Sequence, residues 1–253
     1  MKVKELYAKF CERIPASLSE EWDNDGLMCC ADGDTDVARV LVTLDVTEEI
    51  VDYAIESDFD LIISHHPLIF RPLRAINDEG HIGRKVIKLL ESGISVFSFH
   101  TRADKVSGGV NDCLCDVLGA FSSEPFGEGM LGRIFTLDEP SSLEDFAYRV
   151  KTQVGGDLLR YADGYNNVRR VAVVGGDGKD YVADAIAAGA DTFISGRIGY
   201  NVMEEAAEMG INLIEAGHFF TEQPVTDFFR DLCRAFDPSL YVEVASSNVI
   251  KIL

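Results

Sequence analysis

The chain has 253 residues, is 47% hydrophobic and 26% charged, and carries a formal net charge of −20. That length suits one large α/β domain or two smaller ones; the composition excludes a disordered chain, and the acidic excess excludes a general nucleic-acid binder, which needs a basic surface to displace counterions. No apolar run approaches the roughly 20 residues of a membrane span, the first residues read as an amphipathic helix and not a signal peptide, and the six cysteines, with no C-x-x-C pair, read as free thiols of a reducing compartment, which points to the cytoplasm.

In chain order, Val3, Leu6, Tyr7, Phe10 and Ile14 lie on one face of that first helix. The segment WDNDG (22–26) reads as a turn with Trp22 as its apolar anchor. Two apolar runs, 39–45 and 60–64, read as buried strands with an amphipathic helix from about Glu48 to Ser57 between them. A helix around 82–91, a strand ISVFSF and a helix ending at Gly119 complete a βαβαβ pattern, which implies a parallel sheet with right-handed crossovers. Cys113 and Cys115 fall on the apolar face of that last helix, which disfavours a soft-metal site there.

The Ser-, Gly- and Pro-rich stretch AFSSEPFGEGM then marks a domain boundary, dividing the chain at 1–122 and 123–253. Beyond it come a strand at about 131–137, a helix opened by the capping box Ser141-x-x-Glu144, and a strand near 157–162. The strand–helix pattern then resumes through RRVAVVGG, DTFIS and INLIEAGH, followed by a long helix from Thr221 to about Phe236. The terminal strands are expected to pack back on the first domain.

Residues 39–64 align without a gap on residues 170–195, with nine of 26 positions identical, among them Arg39, Asp60, Ile63 and Ser64 and their counterparts. Shared patterning explains the apolar matches, but the common Asp-x-x-Ile-Ser ending goes beyond it. The fold expected is therefore α/β, with two similar domains whose mainly parallel central sheets face a shared cleft at the strand carboxyl ends, where α/β proteins place ligands.

Four of the five histidines fall at such ends. His65 and His66 follow one strand, His100 follows the next with Asp104 four residues on, and His218 follows the matching strand of the second half with Glu222 four residues on. Where the first half has His65 and His66, the second has Gly196 and Arg197, so one shared cluster is expected and not two. Imidazole nitrogen with carboxylate oxygen is the donor set of zinc, iron, manganese or nickel. Adjacent side chains leaving a strand diverge, so one His pair can serve two ions that share a carboxylate. Asp45, ending the first strand at the same sheet edge, reads either as a group orienting a ligand histidine or as a cap of the next helix. His81 reads as helix surface. The segment GGDGKD (175–180) lacks phosphate-loop spacing and reads as a tight strand-to-helix turn.

At EEWDNDGL, LDVTEEIVDYAI, DLIISHHPLIF, HTRADKVSGGVND, VAVVGGDG, ISGRIGYN and GINLIEAGHFFTE, the chain resembles the dinuclear-metal-centre, toroidal-hexamer proteins labelled GTP cyclohydrolase 1 type 2 homologues, the NIF-three-like family. The resemblance implies two divalent ions per chain held by His65, His66, Asp104, His218 and Glu222, with Glu222 as the bridge and His100 beside the site. It also implies a homohexamer and a small-molecule substrate. Arg102, Arg197 and Asn201 depart from the family's pattern and bear on the walls facing substrate. The activity expected is metal-dependent hydrolysis of a small metabolite, by attack on a purine ring carbon, a phosphoester or another C–N bond, with His100 and Asp45 as the catalytic assistants. The competing expectation is a metal-binding scaffold or store without turnover.

Overall fold

Sequences apolar at every position build strands covered on both faces, and sequences apolar at every third or fourth position build the helices that cover them. The computed structural model describes residues 1–156 and 158–251. It runs α1 (Val3–Arg13), β1 (Gly26–Cys29), β2 (Arg39–Thr43), α2 (Glu48–Glu56), β3 (Leu61–Ser64), α3 (His81–Glu91), β4 (Ser95–Ser98) and α4 (Thr101–Lys105). There follow α5 (Val110–Val117), β5 (Glu124–Phe126), β6 (Gly132–Ser141), α6 (Leu143–Val154), β7 (Arg160–Ala162), β8 (Val168–Asp177), α7 (Val182–Ala187), β9 (Thr192–Arg197), α8 (Tyr200–Glu208), β10 (Asn212–Glu215) and α9 (His218–Glu222). The chain closes with α10 (Val225–Phe236) and β11 (Tyr241–Val244).

Two compact units result, one of Met1–Val106 with Val225–Val249 and one built on Ser107–Pro224. The first holds a sheet of order β1-β4-β3-β2-β11, in which β11, β2, β3 and β4 run parallel and β1 pairs antiparallel with β4. One face packs Leu41, Ile62 and Val96 against Val51 and Ala54 of α2 and Val86 and Leu89 of α3. The other carries an aromatic layer in which Phe10 of α1 stacks on Phe99 at 5.1 Å and Phe229 of α10 lies 5.9 Å from Phe99.

The second unit holds a sheet of order β5-β6-β8-β9-β10-β7, with β8, β9 and β10 parallel and the flanking strands antiparallel. Phe135, Val171, Val173 and Ile194 meet Phe146 and Val150 of α6 on one face, and Ala172, Val174 and Phe193 meet Val182, Ala185 and Ala206 on the other. The fold is thus α/β with two sheets, as expected.

The repeat holds at the level of register. Val40 pairs with Leu61 in the first sheet and Val171 with Thr192 in the second, residues 131 positions apart in the chain. The shared polar identities have a physical cause. The Asp60 carboxylate accepts from the Ala38 and Arg39 N–H groups at 2.8 Å, and the Asp191 carboxylate accepts from Arg169 and Arg170. Arg39 Nε donates to the Ser57 carbonyl at 3.1 Å, and Arg170 Nε to the Ala188 carbonyl at 3.2 Å. In each copy an Asp and an Arg, each bonded to backbone groups, tie the start of the first strand to the helix end and the loop beside it.

Some local readings are corrected. β1 and β5 were not expected, being three or four residues long and bounded by Gly or Pro, too short for a periodic signal. The helix expected from Thr221 is two helices, α9 and α10. The cap of α6 is Ser142, one residue later than expected, whose Oγ accepts from the Asp145 N–H at 3.2 Å, while Ser141 ends β6. Trp22 is no buried anchor, being 64% exposed.

Candidate metal centre

In the first unit β3 delivers His65 and His66 at its carboxyl end, and β4 delivers His100. The chain turns tightly after β3 because the His66 N–H donates to the Leu44 carbonyl and Ser64 Oγ donates to the His66 carbonyl, both at 2.9 Å. The three rings then gather. His65 and His66 centroids are 4.9 Å apart, His65 and His100 5.2 Å, and His66 and His100 5.7 Å. One ring nitrogen from each lies within 4.8 Å of the others.

Each ring is oriented through Nδ1. His65, fully buried, has Nδ1 3.0 Å from the Phe99 carbonyl. His66 Nδ1 lies 2.7 Å from Asp45 Oδ1, and His100 Nδ1 lies 2.9 Å from Asp23 Oδ1. A carbonyl or carboxylate can only accept, so each Nδ1 is the donor and the lone pair of the neutral ring sits on Nε2. This is how proteins set imidazoles as metal ligands, with a fixed tautomer and a fixed ring plane. The Asp104 carboxylate joins the same group, its Oδ1 3.7 Å from His65 Nε2.

Asp45 is itself held, since Ser247 Oγ accepts from its N–H and donates to its carboxylate, both at 3.0 Å. The capping of α2 falls instead to Thr47, whose Oγ1 accepts from the Ile50 N–H at 3.1 Å. Of the two readings of Asp45, the structure shows the contact to histidine.

Asp23 is the residue that sequence reasoning passed over. Its side chain is fully buried and its Oδ2 accepts from Thr101 N and Thr101 Oγ1 as well. Burial pushes its carboxyl up, but hydrogen bonds and charge from His100 and Thr101 outweigh that and hold it well below the usual carboxylate range. Burial likewise pushes His100 down, and the Asp23 hydrogen bond with the nearby charge of Asp104 reverses it, so His100 titrates above an ordinary histidine. Asp25, two residues on, accepts from the His100 N–H and from Arg102 Nε. Arg102 is 1% exposed, with its guanidinium 4.7 Å over the Phe99 ring, so it braces α4 and forms no wall of a pocket. Two carboxylates in a loop have no periodicity; only their burial reveals the role of WDNDG.

In the second unit α9 is a single turn that begins at His218 and ends at Glu222, the two side chains 3.1 Å apart. Glu222 is 5% exposed. Glycines make room for this turn. Gly176 has φ +67, and a Cβ there would sit 2.1 Å from Glu222 Oε1; a Cβ on Gly196 would sit 2.6 Å from His218 Cα. The run GGDG therefore extends β8 and seats α9, and Ser195 Oγ closes it by accepting from the Gly178 N–H and donating to the Gly176 carbonyl. Arg197 is exposed beside Asp177, and Asn201 is exposed on α8. His81 is exposed at the start of α3.

The two His-x-x-x-carboxylate modules are one residue out of phase. Ser64 pairs with Ser98 and Ser195 with Glu215, so His218 occupies the place of Thr101 and His100 that of Gly217. One residue turns a helix by about 100°. His218 therefore faces Glu222 within its own turn, while His100 stands outside α4 and reaches Asp23.

The sequence profile described as Duf34/NIF3 (NGG1p interacting factor 3) matches residues 1–251. A Clostridium perfringens protein named GTP cyclohydrolase 1 type 2 homolog is 35% identical over 232 residues, covering 89% of this chain and 88% of its own. A Lactococcus lactis protein of the same name is 35% identical over 245 residues, covering 94% and 93%. Among solved structures, a hypothetical protein of Staphylococcus aureus superposes with a TM-score of 0.89 at 26% identity, covering 100% of this chain and 99% of that one.

Proposed function

The chain belongs to the Duf34/NIF3 family, and on that premise we propose that it is a metal-dependent hydrolase of a small metabolite, with two divalent ions held by His65, His66, Asp104, His218 and Glu222. The observation that carries this reading is the set of three imidazoles whose Nδ1 atoms are committed to the Phe99 carbonyl, Asp45 and Asp23. The donor set is nitrogen and oxygen throughout, which fits zinc, iron, manganese or nickel and leaves thiolate out. The buried Glu222 carboxylate beside His218 supplies negative charge that two cations require.

When bound, such ions supply a Lewis acid and lower the pKa of a water molecule toward neutrality. The chain's residues do the rest. Asp45 fixes the plane of His66, and Ser247 fixes Asp45. Asp23 holds the Nδ1 proton of His100, which leaves Nε2 as the atom that exchanges a proton with substrate. The glycines at 176 and 196 keep Glu222 and His218 close against the strand ends. The name shared by the relatives points to a purine substrate, and hydrolysis of a phosphoester or another C–N bond is compatible with the same groups.

Elemental analysis of protein purified without added metal, joined to a hydrolysis screen of nucleotides, phosphoesters and cyclic amides, tests this. The expected result is two divalent ions per chain and a turnover that a chelator abolishes and metal restores. Less than one ion per chain after reconstitution would contradict it, and full occupancy with no turnover of any class would favour the storage reading.

A further inference from the structure

Three rings meet at near right angles beside the imidazole group. Trp22 lies 6.2 Å from Phe70 with planes inclined at 71°, and 6.2 Å from His100 at 76°. Phe70 lies 6.1 Å from His100 at 90°. The arrangement is a corner with three aromatic walls, and His100 is the wall it shares with the histidine group. Two of these walls are open to solvent, Trp22 being 64% and Phe70 45% exposed. Large apolar rings held in water without a covering group forgo the gain that burial would give them.

The corner is also fixed. Trp22 and Phe70 stand on different loops, and the Asn24 side-chain amide, two residues from Trp22, donates to the Ile69 carbonyl, next to Phe70. Asp23, between Trp22 and Asn24, is pinned to His100 and Thr101. The two loops are therefore tied to each other, and to the segment carrying His100 and Thr101, by side-chain hydrogen bonds, which hold the rings in place as a binding surface requires. The loop carrying Phe70 continues through Arg71 and Arg74, both exposed and neither paired with an acidic group among the described residues. In a chain of net charge −20 these two arginines follow directly on the Phe70 wall, ahead of Asp78 and Glu79 in the same loop.

We propose that Trp22 and Phe70 form a subsite for a planar heteroaromatic ring that carries an anionic group, the ring stacked face-on to one of the two and edge-on to the other, beside His100, with the anion toward Arg71 and Arg74. The assignment rests on the hydrolase reading and narrows its substrate to ring-bearing anions. Stacking of a base on an aromatic side chain strengthens binding about 5- to 150-fold, enough to select such a ligand over one without a ring.

Trp22 is the single tryptophan of the chain, so fluorescence excited at wavelengths beyond the tyrosine absorption band reports on this corner. The experiment titrates the full-length protein with guanosine monophosphate, guanosine and ribose 5-phosphate. Guanosine monophosphate is expected to quench saturably, guanosine to do so more weakly, and ribose 5-phosphate not at all. Phe70→Ala is expected to weaken binding about 10-fold, and Phe70→Tyr to restore it. Quenching that never saturates, or that is unchanged in Phe70→Ala, would overturn the subsite. Equal binding of guanosine and its monophosphate would remove the anionic part. Emission that shifts with protein dilution and ignores all three compounds would assign the corner to contact with a second copy, against the proposal. Because the signal needs neither turnover nor metal, its failure is separate from a failure of the metal count.

Discussion

Asp60 and Asp191 hold the same N–H groups in the two halves, and Arg39 and Arg170 reach the same carbonyl positions. One position beyond the shared Ser64 and Ser195, the halves part. The first half places a buried histidine there, and the second places Gly196, against which α9 packs at a distance no side chain allows. The scaffold is common because it ties strand starts together at the end of the sheet away from the histidines. The strand carboxyl ends diverge because nothing in the sheet register constrains them. That difference teaches why the strand ends are unequally furnished: there the first half carries three imidazoles and Asp104, the second one imidazole and one buried carboxylate on a glycine seat.

The comparison breaks most sharply at that seat. Gly196→Ala puts a Cβ against His218 Cα and 2.7 Å from the Gly176 carbonyl oxygen, and backbone cannot retreat as a flexible side chain would. A loss of about 2–3 kcal/mol is expected from such overpacking, read as a lower denaturant midpoint, together with displacement of the His218–Glu222 pair. If Gly196→Ala unfolds at the wild-type midpoint, the seat is looser than these distances imply and the reason given for glycine there fails.

A smaller effect sharpens the common part. Asp60→Ala and Asp191→Ala each remove a carboxylate that accepts two N–H donors at a strand start. Each is expected to cost about 1–2 kcal/mol, and the two costs should agree within about 1 kcal/mol in urea unfolding. A large cost in one half and none in the other would show that the matched residues are not matched in energy.

The scaffold was legible in the sequence because it is made of periodic apolar runs and of polar identities repeated without a gap. The histidines were legible because a rare residue type recurred at strand ends. What stayed hidden was phase. The spacing His-x-x-x-carboxylate is the same after β4 and β10, but sequence cannot say where the strand ends and the helix begins, and one residue decides whether the histidine faces its own carboxylate. Asp23, Asp25 and Arg102 were hidden for another reason, since a charged residue in a loop reads as solvated until neighbours from other segments bury it. Trp22 departs in the opposite sense: an apolar residue that reads as the anchor of its turn is left open by the fold.

The proposed metal centre has carboxylate and imidazole donors from both halves of the chain, with Glu222 as a ligand, two ions bound and His100 outside the ligand set. Metal content per chain in Glu222→Gln and His100→Ala tests it most directly, with folding of both variants checked by circular dichroism. Two cations bring a charge of about +4, and loss of one of the two carboxylates proposed to hold them should release at least one ion. Wild type is expected to hold two ions, Glu222→Gln no more than one, and His100→Ala close to two. Two ions in Glu222→Gln with one lost in His100→Ala would contradict the account.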